Sequence, residues 1–299
     1  MRHVIVAPLS ILFVSVLSSC AQGEKELPRN EATTAPNLVS VAATEYAFEA
    51  PDTIPAGWVT LQLANKGGEI HYGHIVQLEL GKTPKEMVDA YAEAIRTSGA
   101  RPKWVKRFGG PGGTWPGDSS SVTQYLEPGS YVWICPIEDE AGNPHFGKGE
   151  VKPFVIAASN SAGGDAAKPK ASAEIRLMDF SFAVDSSLAA GRHTIRVQNA
   201  GVEPHDLVVM RLNPGKTVDE LFAAMNPERA RRPGQASAPP PPLETLITGA
   251  GGVAAIGPGM ESFFETNLTP GDYVLLCMAT APDGKSHIEH GMIKQFRIQ

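Results

Sequence analysis

Side chains that bind soft metals are concentrated near the C-terminal end of the sequence, in the stretch CMATAPDGKSHIEHGM at residues 277–292. The stretch contains the thiol of Cys277, the imidazoles of His287 and His290, and the thioether of Met292. Thiolate and thioether are soft donors, and imidazole binds several transition metals, so these residue types together can form a metal site. A polar hairpin can contain the same residue types by chance, so the stretch alone does not establish a metal site.

The sequence repeats itself, and the candidate ligands repeat with it. Residues 45–91 align without a gap with residues 179–225, and residues 109–154 align with residues 251–296. This pattern predicts a duplicated domain of about 120 residues. Because each copy has one cysteine at the equivalent position, a bridge between the two is not the expected original role, and metal ligation by each thiol is favoured. The equivalent pairs include His71 and His205, Cys135 and Cys277, His145 and His287, and Gly149 and Gly291.

Each copy has the pattern of an all-β domain with one inserted helix. Residues 58–64 and 193–198 alternate apolar and polar side chains, as half-buried strands do. Residues 83–95 and 217–225 have helical spacing, with Thr83 and Glu86 as a capping box. The segment after each helix is expected to be irregular, and residues 229–242, with four consecutive prolines, to form an exposed loop. The predicted fold is two tandem Greek-key β-sandwiches, each with a short helix.

The order of these motifs resembles the cupredoxin superfamily, in particular its plastocyanin-like and azurin-like members. Each copy has an Asn-x-Gly turn before a His, a Pro-Gly turn before a Tyr-containing strand, a Cys after that strand, and a second His. In copy two a Gly-Met pair, Gly291-Met292, follows His287 at the family's spacing, although the nine-residue Cys-to-His loop is longer than is usual in the family. The resemblance implies a type 1 copper site in copy two, with the ligands His205, Cys277, His287 and Met292. It implies a degenerate site in copy one, with His71, Cys135, His145 and Glu150 at the equivalent positions.

The two donor sets predict different chemistry. A thiolate and two imidazoles form a trigonal set that accepts both Cu(I) and Cu(II), and a weak thioether contact tunes the potential. In copy one the carboxylate of Glu150 is a harder donor and disfavours Cu(I). His74 is an alternative to His71, but it lies three residues further along a strand and so on the other face. Lys148 stands where copy two has His290, and we interpret His290 as a residue at the rim of the site.

The N-terminus has the features of an export signal. Residues 1–19 have a short basic start and an apolar run too short to span a membrane. The ending Leu-Ser-Ser before Cys20 resembles a bacterial lipobox, which implies that Cys20 is lipidated; the alternative is an ordinary signal peptide with a chance cysteine. The expected organisation is a lipoprotein signal peptide at 1–19, a flexible tether at 20–37, domain one at 38–157, a linker at 158–171 and domain two at 172–299.

Composition and the absence of certain motifs argue against several classes of function. The chain has 26 Lys and Arg against 32 Asp and Glu, a net charge of −6, which argues against nucleic acid as a partner. No small-molecule substrate is evident. A multicopper enzyme is disfavoured because the sequence contains no His-x-His pair, and a serine hydrolase because it lacks a nucleophile elbow.

We therefore expect a copper-binding electron carrier or copper-handling protein without enzymatic activity. A lipid on Cys20 would anchor it in the bacterial cell envelope, facing the periplasm or the outer surface. Its expected partners are the membrane and a redox protein. The alternative hypothesis is a metal-free β-sandwich lipoprotein used for binding or as a scaffold.

Overall fold

The computed structural model describes residues 1, 35–139, 141–158, 166–225 and 240–299. The described residues from 35 onward belong to one compact unit. Several sequence predictions concern residues that lie wholly or partly outside these ranges. They are the signal peptide, Cys20, most of the tether, half of the linker and most of the proline-rich loop. Within the described ranges, no helix combines the length and the apolar character needed to cross a membrane.

Short strands dominate the described part of copy one, which has a single α-helix, α1 (Pro84–Arg96). The strands are β1 (Asn37–Thr44), β2 (Ala47–Glu49), β3 (Thr53–Pro55), β4 (Gly57–Asn65), β5 (His74–Leu78), β6 (Val105–Arg107), β7 (Ser119–Leu126), β8 (Gly129–Ile134) and β9 (Val151–Ala157).

Copy two repeats this plan around the helix α2 (Val218–Met225). Its described strands are β10 (Ala173–Met178), β11 (Ser181–Val184), β12 (Gly191–Asn199), β13 (His205–Leu212), β14 (Ile247–Ile256), β15 (Glu261–Leu268), β16 (Gly271–Leu276) and β17 (Ile293–Ile298). The all-β prediction with one short helix in each copy is confirmed.

Local sequence signals explain the helices and most strands. Alternation in β4 buries every second side chain almost completely, as its period-2 pattern predicts. At the start of α1, the Glu86 amide donates to the Thr83 hydroxyl at 3.2 Å, and the Thr83 amide donates to the Glu86 carboxylate at 2.9 Å. This is the predicted capping box.

The segment after each helix, predicted to be irregular, contains a strand in both copies. In copy one the three-residue β6 interrupts an otherwise irregular segment, and in copy two the ten-residue β14 follows residues 226–239, which lie outside the described ranges. The sequence ITGAGGVAAI of β14 lacks strand periodicity and contains three glycines, which weaken a strand. Its pairing with β13 supplies the hydrogen bonds that stabilise it as a strand.

The strands form three sheets that build two sandwiches. One sheet has the order β3-β9-β8-β5-β6 and a second has the order β14-β13-β16-β17. Both pack on an eight-stranded sheet with the order β11-β10-β12-β15-β7-β4-β1-β2. In copy one, Leu61 of the large sheet and Trp133 of the small sheet belong to one buried cluster, and Val197 and Leu275 do so in copy two.

The two copies share the eight-stranded sheet through β7 and β15, where Val122 pairs with Phe264. These residues are equivalent in the repeat, so a pseudo-two-fold axis relates the copies. A second contact has the same symmetry, because Pro111 pairs with its own equivalent, Val253. Next to it the Gly109 amide donates to the Ala255 carbonyl, and the Ala254 amide to the Gly110 carbonyl, each at 2.9 Å.

A repeated glycine lies beside this contact and packs closely against a backbone carbonyl of its own copy. Gly110 has φ +105°, and a Cβ there would lie 2.0 Å from the Gly73 carbonyl oxygen. Its equivalent, Gly252, has φ +139°, and a Cβ there would lie 2.1 Å from the Leu207 carbonyl oxygen. Both positions therefore require glycine.

Candidate metal centres

In copy two, sheet pairing brings the first two candidate ligands together. His205 is the first residue of β13, and Cys277 directly follows β16. These strands are antiparallel neighbours, with Val208 opposite Leu276, so the beginning of one lies beside the end of the other. His287 and Met292 come from the loop between β16 and β17. All four side chains are completely buried.

The long loop folds back on itself and so reaches the site. The His287 amide donates to the Ala279 carbonyl at 2.8 Å, and the Met292 amide to the His287 carbonyl at 2.8 Å. The Cys277 amide donates to the Met292 carbonyl at 3.3 Å. These bonds return the chain to its starting point, so a nine-residue loop places His287 beside Cys277.

The three strongest donors of copy two form a compact triangle. Cys277 Sγ lies 3.4 Å from His287 Nδ1 and 3.8 Å from His205 Nδ1, and the two Nδ1 atoms are 3.0 Å apart. A circle through these three atoms has a radius of about 2.0 Å, close to the bond lengths of about 2.0–2.1 Å to nitrogen and about 2.3 Å to thiolate that zinc adopts. One ion at the centre would contact all three donors, so the set fits a trigonal type 1 copper site with Met292 as the thioether.

In copy two, a carboxylate contacts the Nε2 atom of each imidazole, on the side of the ring away from the other donors. His205 Nε2 lies 3.0 Å from Asp179 Oδ1, and His287 Nε2 lies 3.0 Å from Glu203 Oε2. Each Nε2–H can donate to its carboxylate, which leaves Nδ1 free for a metal. The sequence interpretation missed Asp179 and Glu203 as site residues, although both have an acidic equivalent in copy one, Glu45 and Glu69.

Burial sets the protonation of this site. It raises the pKa of the Cys277 thiol well above its ordinary value, and the nearby Asp206 carboxylate adds to the effect. Burial also lowers the pKa of His287 to about 4, with the neighbouring His205 as the next cause. The site without metal therefore contains a neutral thiol and a neutral His287 imidazole at pH 7, and metal binding must displace the thiol proton.

Copy one assembles the equivalent residues with a carboxylate in place of the thioether. Donor atoms of His71, Cys135, His145 and Glu150 all lie within 4.8 Å of one another, and all four residues are buried. Glu150 Oε2 lies 2.9 Å from His71 Nδ1 and 3.1 Å from His145 Nδ1. Cys135 Sγ lies 3.5 Å from His145 Nδ1.

The loop bonds of copy two recur in copy one. The Cys135 amide donates to the Glu150 carbonyl at 3.3 Å, and the Glu150 amide to the His145 carbonyl at 3.1 Å. Glu150 therefore occupies the backbone position of Met292. Cys135 and Cys277 are both free, buried thiols, each in its own cluster.

The other histidines considered in the sequence lie outside the two clusters. His74 is buried against copy two, with Nε2 3.2 Å from the Ala255 carbonyl oxygen. His290 is partly exposed, and its Nε2 lies 3.1 Å from Asp283. Lys148, at the position equivalent to His290, pairs with Asp139 and donates to the Tyr46 hydroxyl at 2.9 Å.

Comparison with known proteins gives matches only among solved structures. No protein-family model matches the sequence, and no curated protein matches it either. Reduced auracyanin from Roseiflexus castenholzii is 20% identical, with a TM-score of 0.29, and the match covers 42% of this chain and 99% of auracyanin. Auracyanin A, a blue copper protein from Chloroflexus aurantiacus, is 17% identical, with a TM-score of 0.30, over 41% of this chain and 100% of its own.

Larger copper proteins match most of the chain. A copper-containing nitrite reductase from Thermus scotoductus is 12% identical, with a TM-score of 0.22, over 89% of this chain and 62% of the reductase. At identities and TM-scores this low, the likeness concerns the fold alone. The two sandwiches, each with a buried His/Cys/His set at the same place, give this chain a duplicated cupredoxin-like fold.

The comparison corrects the expectation that the protein has no enzymatic activity. The similar structures include multicopper oxidases, a laccase and the nitrite reductase, which are enzymes. A fold of this kind therefore gives no ground for excluding catalysis.

Proposed function

We propose that this protein is a copper-binding electron-transfer lipoprotein of the bacterial cell envelope, with its type 1 copper centre in copy two. His205, Cys277 and His287 would hold the metal, and Met292 would provide the weak thioether contact. The copper would supply a one-electron couple. The observation that carries the proposal is the triangle of three buried donors whose common centre is about one metal–ligand bond length from each.

The rigidity of the site supports electron transfer rather than copper delivery. The donors converge on one point, and hydrogen bonds to Asp179 and Glu203 keep both imidazoles in place. A site that is already formed changes little between Cu(I) and Cu(II), which favours fast electron exchange. A delivery site would need ligands that separate easily when the metal leaves.

The envelope location is proposed from the sequence. The lipobox-like ending before Cys20 supports a lipid anchor, and the polar residues that follow would act as a tether. The two folded copies could then reach a redox partner protein near the membrane surface.

Visible absorption of the copper-loaded full chain tests the proposal. A Cu(II)–thiolate bond absorbs strongly in the visible, so we expect a coloured protein that bleaches on reduction and recovers on oxidation over repeated cycles. Cys277→Ala should abolish the band, whereas the matched variant Cys135→Ala should keep it.

Two outcomes would contradict the proposal. A colourless wild-type protein after Cu(II) addition would favour the metal-free scaffold hypothesis. Release of the copper on each reduction would favour copper handling over electron transfer.

A further inference from the structure

The copy-one cluster contains an unusual number of unsatisfied polar atoms. Among the described residues, eight buried side-chain nitrogen and oxygen atoms have no hydrogen-bond partner; three of them belong to this cluster, and a fourth, on Glu69, lies beside it. The cluster in copy two contributes none. Because buried polar groups are almost always satisfied, such a concentration needs an explanation, and an absent ion is one. The four atoms are His71 Nε2, His145 Nε2, Glu150 Oε1 and Glu69 Oε2.

Close contacts within the cluster do not remove this deficit. His145 Nε2 lies 2.6 Å from Glu69 Oε2, within ion-pair distance, but the two atoms are not aligned for a hydrogen bond. Glu150 is completely buried, and its Oε2 atom lies within hydrogen-bond distance of Nδ1 of both His71 and His145. Its Oε1 atom lies 2.9 Å from His71 Nδ1, within ion-pair distance but without a hydrogen bond. A buried carboxylate is costly unless a positive charge compensates it.

We infer that copy one is a second metal site, which selects a divalent cation over Cu(I) through the donors His71, Cys135, His145 and Glu150. A Cys, two His and a Glu form a four-ligand set of the kind that binds zinc-like ions. The inference goes beyond the proposed function, because it assigns a ligand to the copy that the copper proposal leaves without a role.

The charge of each donor set gives the selectivity. With a thiolate and a carboxylate, the copy-one set carries two negative charges, which a divalent ion neutralises and Cu(I) does not. The copy-two set has one negative charge, the Cys277 thiolate, and its fourth donor is the neutral thioether of Met292. Both sites exclude water, so an uncompensated charge is costly in either. The hardness of the donors acts in the same direction, since carboxylate suits divalent ions and thioether suits Cu(I).

A metal would also resolve the contacts around the imidazoles. With Nδ1 of His71 and of His145 bound to the ion, each Nε2 can carry a proton directed outward. The Nε2 atom of His145 then faces the Glu69 carboxylate, as His287 faces Glu203 in copy two. In the structure, Nδ1 of both imidazoles lies within hydrogen-bond distance of the same Glu150 oxygen, Oε2, so two ring nitrogens compete for one carboxylate oxygen.

Metal titration of the full chain tests this assignment. We expect the metal-free protein to bind one Zn²⁺ against a competing chelator, with the site lost in Cys135→Ala and kept in Cys277→Ala. Co²⁺ in place of Zn²⁺ should give visible bands typical of a tetrahedral thiolate site in the same variants. Cu(I) should show the reverse dependence on the two cysteines.

A swap of the fourth donor tests the reason for the selectivity. Glu150→Met should lower the affinity for Zn²⁺ relative to Cu(I) at copy one by about tenfold or more, the size of change that even indirect contacts to a metal ligand produce. Glu150→Gln, which keeps the shape and removes the charge, should shift the ratio in the same direction. Unfolding midpoints without metal show whether the variants remain folded.

Several results would overturn the inference. It fails if Zn²⁺ binding is lost in Cys277→Ala but not in Cys135→Ala, if neither Glu150 variant changes the Zn²⁺ to Cu(I) ratio, or if copy one binds no divalent ion. The copper proposal is tested separately, by the visible band of copy two in Cys135→Ala. Failure of the zinc assignment and failure of the copper proposal therefore remain distinguishable.

Discussion

His74 should make the folded protein sensitive to acid. Its ring is buried between the two copies, and burial, together with the positive charge of Arg107, lowers its pKa from 6.5 to about 3. Below pH 6.5 the unfolded chain therefore binds a proton at His74 that the folded protein does not bind. Stability is then lost as the pH falls from about 6.5 toward about 3.

The size of the effect follows from the pKa difference. Each pH unit in this window lowers the free energy of unfolding by about 1.4 kcal/mol. At pH 5, which is 1.5 units below 6.5, the loss of stability due to His74 is therefore about 2 kcal/mol. The pKa of His74 in the folded protein lies well below pH 5, so the folded protein regains almost none of this loss by binding the proton itself. His287 contributes in the same direction, because its pKa is lowered to about 4, but it is present in both proteins of the comparison below.

The variant His74→Val isolates the contribution of His74 to the pH dependence of stability. Copy two has Val208 at the equivalent position, so valine fits this place in the strand. The Ala255 carbonyl keeps its bond from the Gly109 amide. Urea unfolding of the metal-free proteins at pH 7.5 and pH 5 should show that the wild type loses about 2 kcal/mol more than the variant.

The reasoning is refuted if both proteins lose the same stability between these two pH values. A control in which the partly exposed His193 is replaced by Gln should behave like the wild type. Absolute stability at pH 7.5 can differ between the proteins, since the variant also loses a hydrogen bond and side-chain volume. Only the difference in pH dependence reports the protonation of His74.

Three further predictions concern the interface, the copper ligands and the anchor. Gly110→Ala should reduce the free energy of unfolding by more than about 2 kcal/mol, because its Cβ would collide with a carbonyl oxygen. The control Gly117→Ala, with φ +81° and open space around the Cβ, should cost about 1–2 kcal/mol. Equal losses of stability in urea unfolding would contradict the packing argument. Asp179→Asn should weaken copper binding in copy two by about 10–100-fold, measured against a competing chelator, and should leave Zn²⁺ binding by copy one unchanged. An unaltered copper affinity would show that the carboxylate does not support His205. Cys20→Ser should move the protein from the membrane to the soluble fraction, and persistent membrane association would rule out the lipid anchor.

Local patterns in the sequence were sufficient for the parts of the fold that depend on near neighbours. The alternation in residues 58–64 predicts β4 because side chains of a strand point to opposite faces in turn. The Thr83 and Glu86 pair predicts the start of α1, since both capping bonds lie within four residues. The gapless repeat predicts that Cys135 and Cys277 occupy equivalent places, and the structure puts each directly after the corresponding strand.

Features that depend on distant contacts required the tertiary structure. β14 is a strand because β13 lies beside it, and its glycine-rich sequence carries little strand signal of its own. The joined eight-stranded sheet depends on Val122 meeting Phe264, which no local pattern indicates.

The candidate metal centres divide in the same way. The sequence determined which donor types each copy has, because the identity of the candidate ligands and their spacing along the chain are read directly from it. Whether a nine-residue loop returns His287 to Cys277, and which carboxylates support the imidazoles, depends on backbone hydrogen bonds and on side chains brought close from other strands. Only the folded chain decides these contacts, because their partners, such as Asp179 and His205, are separated along the sequence and meet through sheet packing.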